Sequence, residues 1–371
     1  MQILDRFRDP EVGKALLGKV TEQAKQVAER LGRRAVFMEV CGTHTVAISK
    51  AGLRSLLGDY IDLRSGPGCP VCVTDYGDID RMIALARTPG VSLGTFGDMM
   101  RVPGSYTSLE KERAVGADVQ IFYSPADAVE WARKHPDRQM VFLGVGFETT
   151  APGIALSILQ AKTQGVSNYS VYTSHKLVPP AMHAIMADPE LRLDGFILPG
   201  HATAIVGRNA FQFVADQYNL PAVVTGFETT DILDCLHNLV DQLLQDQVRV
   251  DNGYSRVVKD EGNVRAQALM EQFFEVADVS WRGFGVIPGS GMVIRPEFAA
   301  FDAAKRFDAV VPEPRIPKGC RCGDLLKGKI NPHECRLFGT ACTPINPVGP
   351  CMVSSEGACA AYYQYDRRLG K

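Results

Sequence analysis

Short apolar runs, each ending in glycine or a polar loop, recur along the first two thirds of the chain. Between them lie segments with the spacing of amphipathic helices, such as "DIDRMIALART", "SLEKERAVGA" and "PADAVEWARKH". Buried strands that alternate with amphipathic helices are typical of α/β proteins with parallel sheets, and we predict this fold class. The predicted strands are RAVFMEV, YIDLRS, VSLGTF, DVQIFYS, MVFLGVG, YSVYTS, GFILPG and AVVTG.

The first amphipathic segment covers residues 11 to 31 and predicts an opening helix. We expect this N-terminal helix, residues 1–32, to pack on the C-terminal domain. Its apolar stripe consists of Leu16, Leu17, Val20, Ala24, Val27 and Leu31.

The pentapeptide GFETT occurs twice, at Gly146 to Thr150 and at Gly226 to Thr230, each time after an apolar run. The repeat is compatible with two related α/β halves, and one larger sheet is the alternative. After residue 236 the pattern changes to a helix and then to a tail rich in Pro, Gly and Cys. We therefore predict α/β domains at 33–125, with the CGTH and GPGCPVC loops, and at 126–236, with the GFETT and PGH loops. The C-terminal domain is predicted at 237–371.

Charge and composition narrow the range of partners. The 371 residues include 40 basic and 42 acidic side chains, with 46% hydrophobic residues. This balance does not indicate a nucleic-acid or membrane surface, so we expect a small-molecule or protein partner. No run approaches the length of a spanning helix and the N-terminus has no signal-like apolar region, so we expect a cytoplasmic protein.

Of the ten cysteines, three lie near the N-terminus, Cys235 stands alone, and six crowd into the last 52 residues. Four thiolates can hold either a zinc ion or an iron–sulfur cluster. The gaps in the tail are wide, with twelve residues between Cys322 and Cys335 and six between Cys335 and Cys342. Such spacing favours a cluster over a single tetrahedral zinc ion. Zinc and free thiols or disulfides remain the alternatives, and the spacing does not choose four ligands among the six.

Two further cysteine motifs follow predicted strands near the N-terminus. Cys41 and His44 in CGTHT lie where open α/β sheets place ligands. A thiolate and an imidazole at this spacing can serve one metal or form a nucleophile–base pair, whereas the simpler interpretation is a strand-end cysteine with capping residues. Cys69 and Cys72 form a C-x-x-C pair in GPGCPVC. Because no second pair or histidine follows within 30 residues, redox chemistry is favoured over metal binding.

Polar residues at other predicted strand ends suggest a polar cleft around these thiols. Glu148, Glu228, Asp98 and His201 all occupy such positions. Each one alone is more often a helix cap than a catalyst, and we keep Glu148 as a candidate. No Gly-rich nucleotide-binding motif follows a strand.

Six motifs together resemble the HypD family of hydrogenase maturation proteins along essentially the whole chain. In order they are CGTHT at 41–45, GPGCPVC at 66–72, FGDMMRVPG at 96–104, GFETT at 146–150, PGH at 199–201, and CxxFGxxC followed by MVSSEGAC at 352–359. The resemblance implies a scaffold with a redox role that builds the Fe(CN)2CO group of [NiFe] hydrogenases. It also implies two partners, a HypC-type small chaperone and a HypE-type cyanide donor.

The resemblance also implies which residues act. Two α/β domains would be followed by a domain with a [4Fe–4S] cluster. Cys41 would bind the transient iron that carries CN and CO, with His44 as a family histidine beside it. Cys69 and Cys72 would be a redox pair between that iron and the cluster. The cluster ligands would be Cys322, Cys335, Cys342 and Cys359, with Cys320 and Cys351 as extra thiols and possible replacements. The competing hypothesis is a general thiol–disulfide oxidoreductase with a structural cluster.

Overall fold

The computed structural model describes residues 9 to 366, which form an α/β structure with two sheets. Each of the eight apolar runs contains a strand. The strands in this part of the chain are β1 (Ala35–Glu39), β2 (Ile61–Ser65), β3 (Val91–Thr95), β4 (Val119–Ile121), β5 (Gln139–Gly146), β6 (Tyr169–Lys176), β7 (Gly195–Pro199), β8 (Ala222–Thr225), β9 (Val250–Asn252), β10 (Phe274–Trp281) and β11 (Gly285–Ile294).

Helices connect most of these strands, and several begin at a proline or a side-chain cap. They are α1 (Pro10–Leu31), α2 (Gly42–Lys50), α3 (Leu53–Leu56), α4 (Pro70–Val73), α5 (Tyr76–Ala86), α6 (Leu109–Ala114), α7 (Pro125–Lys134), α8 (Ala151–Gln164), α9 (Val178–Met186), α10 (Gly200–Val206), α11 (Phe213–Tyr218), α12 (Thr229–Leu244), α13 (Val264–Phe273), α14 (Ala303–Arg306), α15 (Cys322–Leu326) and α16 (Ala358–Tyr365).

The first sheet is parallel and has the strand order β2-β1-β7-β8-β9. In its centre Phe37 lies opposite Leu63 on one side and Gly195 on the other. Every residue of β1 and β7 is buried, as continuous apolar runs predict. The carboxyl ends of the strands share one edge, so the loops that follow β1, β2, β7 and β8 all begin there.

The second sheet has the order β10-β11-β6-β5-β3-β4. Strands β3 to β6 are parallel, but β11 pairs antiparallel with β6 and with β10. The prediction of parallel sheets is therefore incomplete. The hairpin was not predicted because β10 is largely exposed and β11 contains Pro288 and three glycines, which hide the alternation of a strand.

The two sheets interleave along the chain. The first takes strands from residues 35–65 and from 195–252, and the second takes those from 91–176 and 274–294. The predicted boundary after residue 125 falls at the first residue of α7, between strands β4 and β5 of the second sheet. Sheet membership therefore does not follow the predicted domains 33–125 and 126–236, because short apolar runs carry no information about which strands pair.

Helix α1 has the predicted bounds within one residue, and Val20, Ala24 and Val27 on its stripe are buried. It packs against α12 beside the first sheet. Oε1 of Gln23 forms a hydrogen bond with Nδ1 of His237 at 2.6 Å. His237 is the first residue of the C-terminal domain predicted at 237–371, and the expected packing of α1 on that domain stays a prediction.

One continuous hydrophobic core joins both sheets and the C-terminal segment. It includes Met38 of the first sheet, Leu143 of the second and Leu325 of α15. Cys69 and Cys72 lie within the same core. Between residues 9 and 366, no helix combines the length and apolar character needed to cross a membrane.

Candidate functional site

Two cysteine loops meet at the carboxyl edge of the first sheet. Cys41 follows β1 and occupies the position before α2, while Gly68 and Cys69 follow the neighbouring strand β2. The backbone N–H of Gly42 donates a hydrogen bond to the carbonyl of Gly68 at 2.8 Å. A β-carbon on Gly68 would overlap the backbone of Cys41, so only glycine allows this approach. The structure thus brings together the two loops that the sequence analysis singled out.

A third segment, residues 354–357, closes over the Cys41 loop. The hydroxyl of Thr43 donates to Oε1 of Glu356 at 2.9 Å, and Ser354 donates to Oδ2 of Asp98 at 3.3 Å. A β-carbon on Gly42 would overlap Glu356. Glu356 was missed as a site residue, although it lies in the motif MVSSEGAC, because nothing in the sequence places that motif next to Cys41.

The thiol of Cys41 is only 8% exposed. Burial raises its pKa to about 12, and the negative charges of Glu356 and Glu39 add to this effect. Backbone N–H groups of His44 and Thr43 act in the opposite direction. The thiol therefore keeps its proton at neutral pH, and a metal that binds the sulfur has to displace that proton.

Glu39, at the end of β1, is buried directly beneath this loop. Its carboxylate accepts a hydrogen bond from the backbone N–H of Cys41 at 3.1 Å and another from the hydroxyl of Thr45. Arg54 lies 3.9 Å from Oε1. Burial raises the pKa of Glu39 to about 7, while Arg54 opposes the shift.

The imidazole of His44 is completely buried and is directed toward the loop after β8. Nε2 lies 2.9 Å from the carbonyl oxygen of Gly226, while Nδ1 has no hydrogen-bond partner. The ring stacks on Phe227 at 4.7 Å, and His201 stacks on the same ring at 3.9 Å. Burial lowers the pKa of His44 to about 4, so the ring is neutral at physiological pH.

Cys69 and Cys72 are joined by a disulfide, with their Cα atoms 5.2 Å apart. Cys69 lies before the first turn of α4, and its sulfur accepts a hydrogen bond from the backbone N–H of Cys72 at 3.2 Å. Cys69 is 3% exposed and Cys72 is fully buried. The disulfide is therefore shielded from other macromolecules.

Glu148 lies in the loop after β5 of the second sheet, two residues past its last residue Gly146, and is 1% exposed. Its Oε1 accepts the backbone N–H of Val178 at 2.8 Å, at the start of α9, and its Oε2 has no partner. Burial raises the pKa of Glu148 to about 7. In the second GFETT copy, Glu228 instead forms a capping box with Asp231 at the start of α12. Both glutamates thus satisfy helix N-termini.

The C-terminal cysteines gather around a small, largely enclosed cavity with an apolar lining. Gly349 lies against it, and a β-carbon there would approach Cys320 Sγ to 2.8 Å. The backbone N–H of Val348 donates to Cys342 Sγ at 3.3 Å. Cys351 is completely buried but does not line this cavity. The five cysteines that line it are Cys320, Cys322, Cys335, Cys342 and Cys359.

These thiols are arranged around a space and do not converge on one point. Among residues 9–366 no group of three or more His, Cys, Asp or Glu side chains is placed to hold a single metal ion. A cluster of four irons binds its thiolates at separate metal atoms, so it does not need such convergence. Soft sulfur donors, apolar walls and an N–H directed at sulfur together suit an iron–sulfur cluster.

The disulfide and the cysteine cavity are close neighbours in the fold. The short 3₁₀ helix Pro350–Met352 packs against α4. The thiol of Cys351 in this helix is within hydrogen-bonding reach of Cys322. The Cys41 loop, the disulfide and the cysteine cavity thus form one continuous region.

Comparison with known proteins agrees with this geometry. The family model HypD, described as the hydrogenase formation hypA family, matches residues 14–366. The chain belongs to the HypD family. It is 45% identical over 375 residues to the hydrogenase maturation factor HypD of Azotobacter vinelandii, which covers 99% of this chain and 98% of the relative. The proteins of the same name from Rhodobacter capsulatus and Escherichia coli strain K12 are each 43% identical over 370 residues, with 98% of both chains covered.

Several HypD-family motifs, far apart in sequence, meet around Cys41. The GPGCPVC loop contacts it through Gly68, and the MVSSEGAC segment contacts it through Glu356. The FGD motif joins through Asp98, which accepts from Ser354. The resemblance that rested on motif order in the sequence therefore corresponds to a cluster of motifs in space.

Proposed function

We propose that this HypD-family protein is a hydrogenase maturation factor on which the Fe(CN)2CO group of [NiFe] hydrogenases is assembled. It would work with a HypC-type small chaperone and receive cyanide from a HypE-type donor. Family membership supports the general role. The observation that carries the finer proposal is the direct contact between the Cys41 loop and the loop of the Cys69–Cys72 disulfide, through Gly42 and Gly68.

Cys41 is the residue that we assign to the iron substrate. A thiolate suits low-spin iron that carries cyanide and carbon monoxide, and the partner's cysteine would supply a second thiolate. Because the thiol pKa is raised to about 12, binding of iron releases a proton at this site. The carboxylates of Glu39 and Glu356 lie beside the loop and can accept it. The hydroxyl of Thr43 and nearby backbone N–H groups can donate to cyanide nitrogens.

Cys69 and Cys72 are assigned the redox role. Opening their disulfide takes up two electrons and two protons and leaves two thiols. With 3% and 0% exposure, the two sulfurs are inaccessible to the disulfide of another folded protein. This burial supports a role inside the site over a general oxidoreductase activity.

Cys322, Cys335, Cys342 and Cys359 would hold the [4Fe–4S] cluster, since all four line the same cavity. When bound, the cluster supplies single electrons. Cys320 also lines the cavity and is the alternative ligand. We place the protein in the cytoplasm, where reducing conditions keep Cys41 and the tail thiols available for iron.

The test is infrared spectroscopy of full-length protein co-expressed with its HypC-type partner and purified without air. Wild type should show cyanide and carbonyl bands in the infrared. It should also absorb visible light at about 400 nm, as iron–sulfur proteins do. Cys41→Ala should lose the infrared bands and keep the cluster. Cys235→Ala is the matched control, because Cys235 is an equally buried free thiol on α12. Bands that persist in Cys41→Ala would refute the assignment.

A further inference from the structure

Arg282 lies in the turn between β10 and β11 and is anchored to the end of α4. Its backbone N–H donates to the carbonyl of Val73 at 2.9 Å, and its Nε donates to the carbonyl of Thr74 at 2.9 Å. Thr74 also pairs with Trp281 as an isolated bridge. Because α4 begins directly after Cys69 and contains Cys72, these contacts fix Arg282 to the segment that carries the disulfide.

The same turn touches the segment that carries the cluster ligands. Gly283 has a φ of +83°, and a β-carbon on it would overlap the backbone of Gly323. Gly323 follows Cys322 in α15, and a β-carbon there would lie 2.9 Å from the Cα of Gly283. This contact between two glycines brings the turn close to the first predicted cluster ligand, with Arg282 beside it.

The guanidinium group of Arg282 is buried without a counter-ion. The residue is 2% exposed, and neither Nη1 nor Nη2 has a hydrogen-bond partner. Its planar group lies over the ring of Tyr76, 3.7 Å from the centroid. Burial raises the pKa of that phenol to about 12, so Tyr76 is neutral at physiological pH and provides no negative charge.

The nearest part of the tail to Arg282 is the segment of Cys322, because Gly323, the next residue, contacts Gly283 in the same turn. In the part of the chain that the structure describes, no carboxylate forms a hydrogen bond with either Nη atom of Arg282. A guanidinium group does not lose its proton in proteins, and an isolated buried charge is strongly unfavourable. The arrangement therefore calls for an anion on the thiol side.

We propose that Arg282 is the counter-ion of the iron–sulfur cluster and raises its reduction potential. The inference rests on the proposed function, since the anion is the cluster with its thiolate ligands. Such an assembly is negatively charged, and reduction adds one electron to it. A buried cation beside it stabilises the reduced form more than the oxidised form, because the attraction grows with the negative charge. Arg282 is thus a positioning residue, joined to α4 by its backbone N–H and Nε, while its Nη atoms would remain available to the charge of the cluster.

The test compares the cluster in variants of the full-length protein purified without air. Arg282→Met removes the charge, Arg282→Gln removes it but keeps a hydrogen-bond donor for Thr74, and Arg282→Lys keeps the charge. Arg321→Gln is the matched control, because Arg321 lies between Cys320 and Cys322 but is 46% exposed and paired with Asp324. Iron and acid-labile sulfide are measured first, and the cluster is then titrated with reductant and followed by electron paramagnetic resonance.

At the potential where the wild-type cluster is half reduced, Arg282→Met and Arg282→Gln should show a ratio of reduced to oxidised cluster about tenfold lower, which corresponds to about 59 mV for one electron. In Arg282→Lys and Arg321→Gln this ratio should stay within about twofold of the wild-type value. Arg282→Lys keeps the buried charge, and the solvated charge of Arg321 acts more weakly than a buried one. Loss of the cluster from the two neutral variants but not from Arg282→Lys, with unchanged circular dichroism, would support the same conclusion.

Two results would overturn the inference while leaving the proposed function intact. One is a ratio of reduced to oxidised cluster equal to that of wild type in Arg282→Met and Arg282→Gln, when both proteins contain a full complement of iron and sulfide. The other is equal loss of the cluster from Arg282→Lys and the neutral variants, which would show that positive charge is not what the site requires. A wild-type protein without iron and sulfide would overturn both proposals.

Discussion

The backbone N–H of Gly42 donates to the carbonyl of Gly68 across 2.8 Å, and this bond places Cys41 next to the loop of the Cys69–Cys72 disulfide. The two loops follow β1 and β2, which are paired in register so that Glu39 lies opposite Ser65. Neighbouring parallel strands deliver their following loops to the same edge, and the glycines allow those loops to touch. The relationship between the Cys41 loop and the disulfide loop is therefore a consequence of the strand order in the sheet.

Gly68→Ala should disrupt this contact. The added β-carbon would overlap the backbone of Cys41, so we expect a loss of about 1 to 3 kcal/mol in unfolding free energy, as for overpacked sites. Cyanide and carbonyl bands should also be lost from protein purified with its partner. Urea unfolding and infrared spectroscopy measure the two effects.

The control for this variant is Gly18→Ala, at a position within α1 where a β-carbon would meet no atom within 4 Å. Alanine should stabilise the helix there by about 0.5 to 1 kcal/mol and leave the infrared bands unchanged. Equal behaviour of the two variants would contradict the role assigned to Gly68.

Serine substitutions should separate cluster ligands from the other tail cysteines. Because Cys351 does not line the cavity, Cys351→Ser should retain most of the iron and acid-labile sulfide. Replacement of any one proposed ligand should lower both to less than about half, since each iron needs its own thiolate. Cys320→Ser tests whether Cys320 substitutes for a proposed ligand. Retention of the cluster in Cys335→Ser would show that Cys320 takes the place of Cys335. The substitutions at proposed ligands are Cys322→Ser, Cys335→Ser, Cys342→Ser and Cys359→Ser.

Cys69→Ser and Cys72→Ser should abolish hydrogenase maturation in cells. Neither sulfur lines the cysteine cavity, so the iron content of the purified variants should stay close to that of wild type. Hydrogenase activity in a complemented strain and metal analysis of the protein provide the two measurements. Normal activity in either strain would rule out the redox role, while Cys235→Ala should behave as wild type.

His175 should make the protein less stable in acid. This histidine on β6 is fully buried and neither ring nitrogen has a partner, and burial lowers its pKa to about 3. In the unfolded chain the pKa is about 6.5, so the unfolded state binds a proton that the native state does not. Stability should therefore be complete above about pH 6.5 and fall as pH decreases toward about 3, by about 1.4 kcal/mol per unit for this proton.

His175→Gln should reduce that slope in urea unfolding curves recorded between about pH 6.5 and 4. His135→Gln, at an exposed position after α7, is the control and should keep the wild-type slope. Equal loss of stability in the two variants with falling pH would contradict this role of His175.

The sequence was informative where local pattern decides structure. Continuous apolar runs predicted the strands that precede Cys41 and Cys69, and adjacency at the carboxyl edge followed from the α/β class. The hairpin β10–β11 was missed, because an exposed strand and one interrupted by Pro288 lack a clear period. Arg282 lies in the turn of this hairpin and was therefore not predicted as a functional residue.

Contacts between segments that are distant in sequence could not be predicted from the local pattern of apolar and polar residues. Thr43 and Glu356 are separated by 313 positions, and no periodicity connects them. The division between the two sheets was equally hidden, because β1 and β7 are both short apolar runs and either could pair with any other. The family motifs drew attention to residues such as Thr43 and Glu356. They did not indicate which residues these side chains contact.

The interleaving of the two sheets also has a consequence for how the protein is made. Strand β1 cannot pair with β7 until synthesis has passed residue 195, and by then strands β3 to β6 of the second sheet have been synthesised. Contacts of such long sequence separation form slowly, since loop closure has to precede them. The Cys41 pocket is closed later still, by residue 356. A nascent chain therefore presents Cys41 without its enclosure, and the pocket around this thiol is complete only near the end of translation.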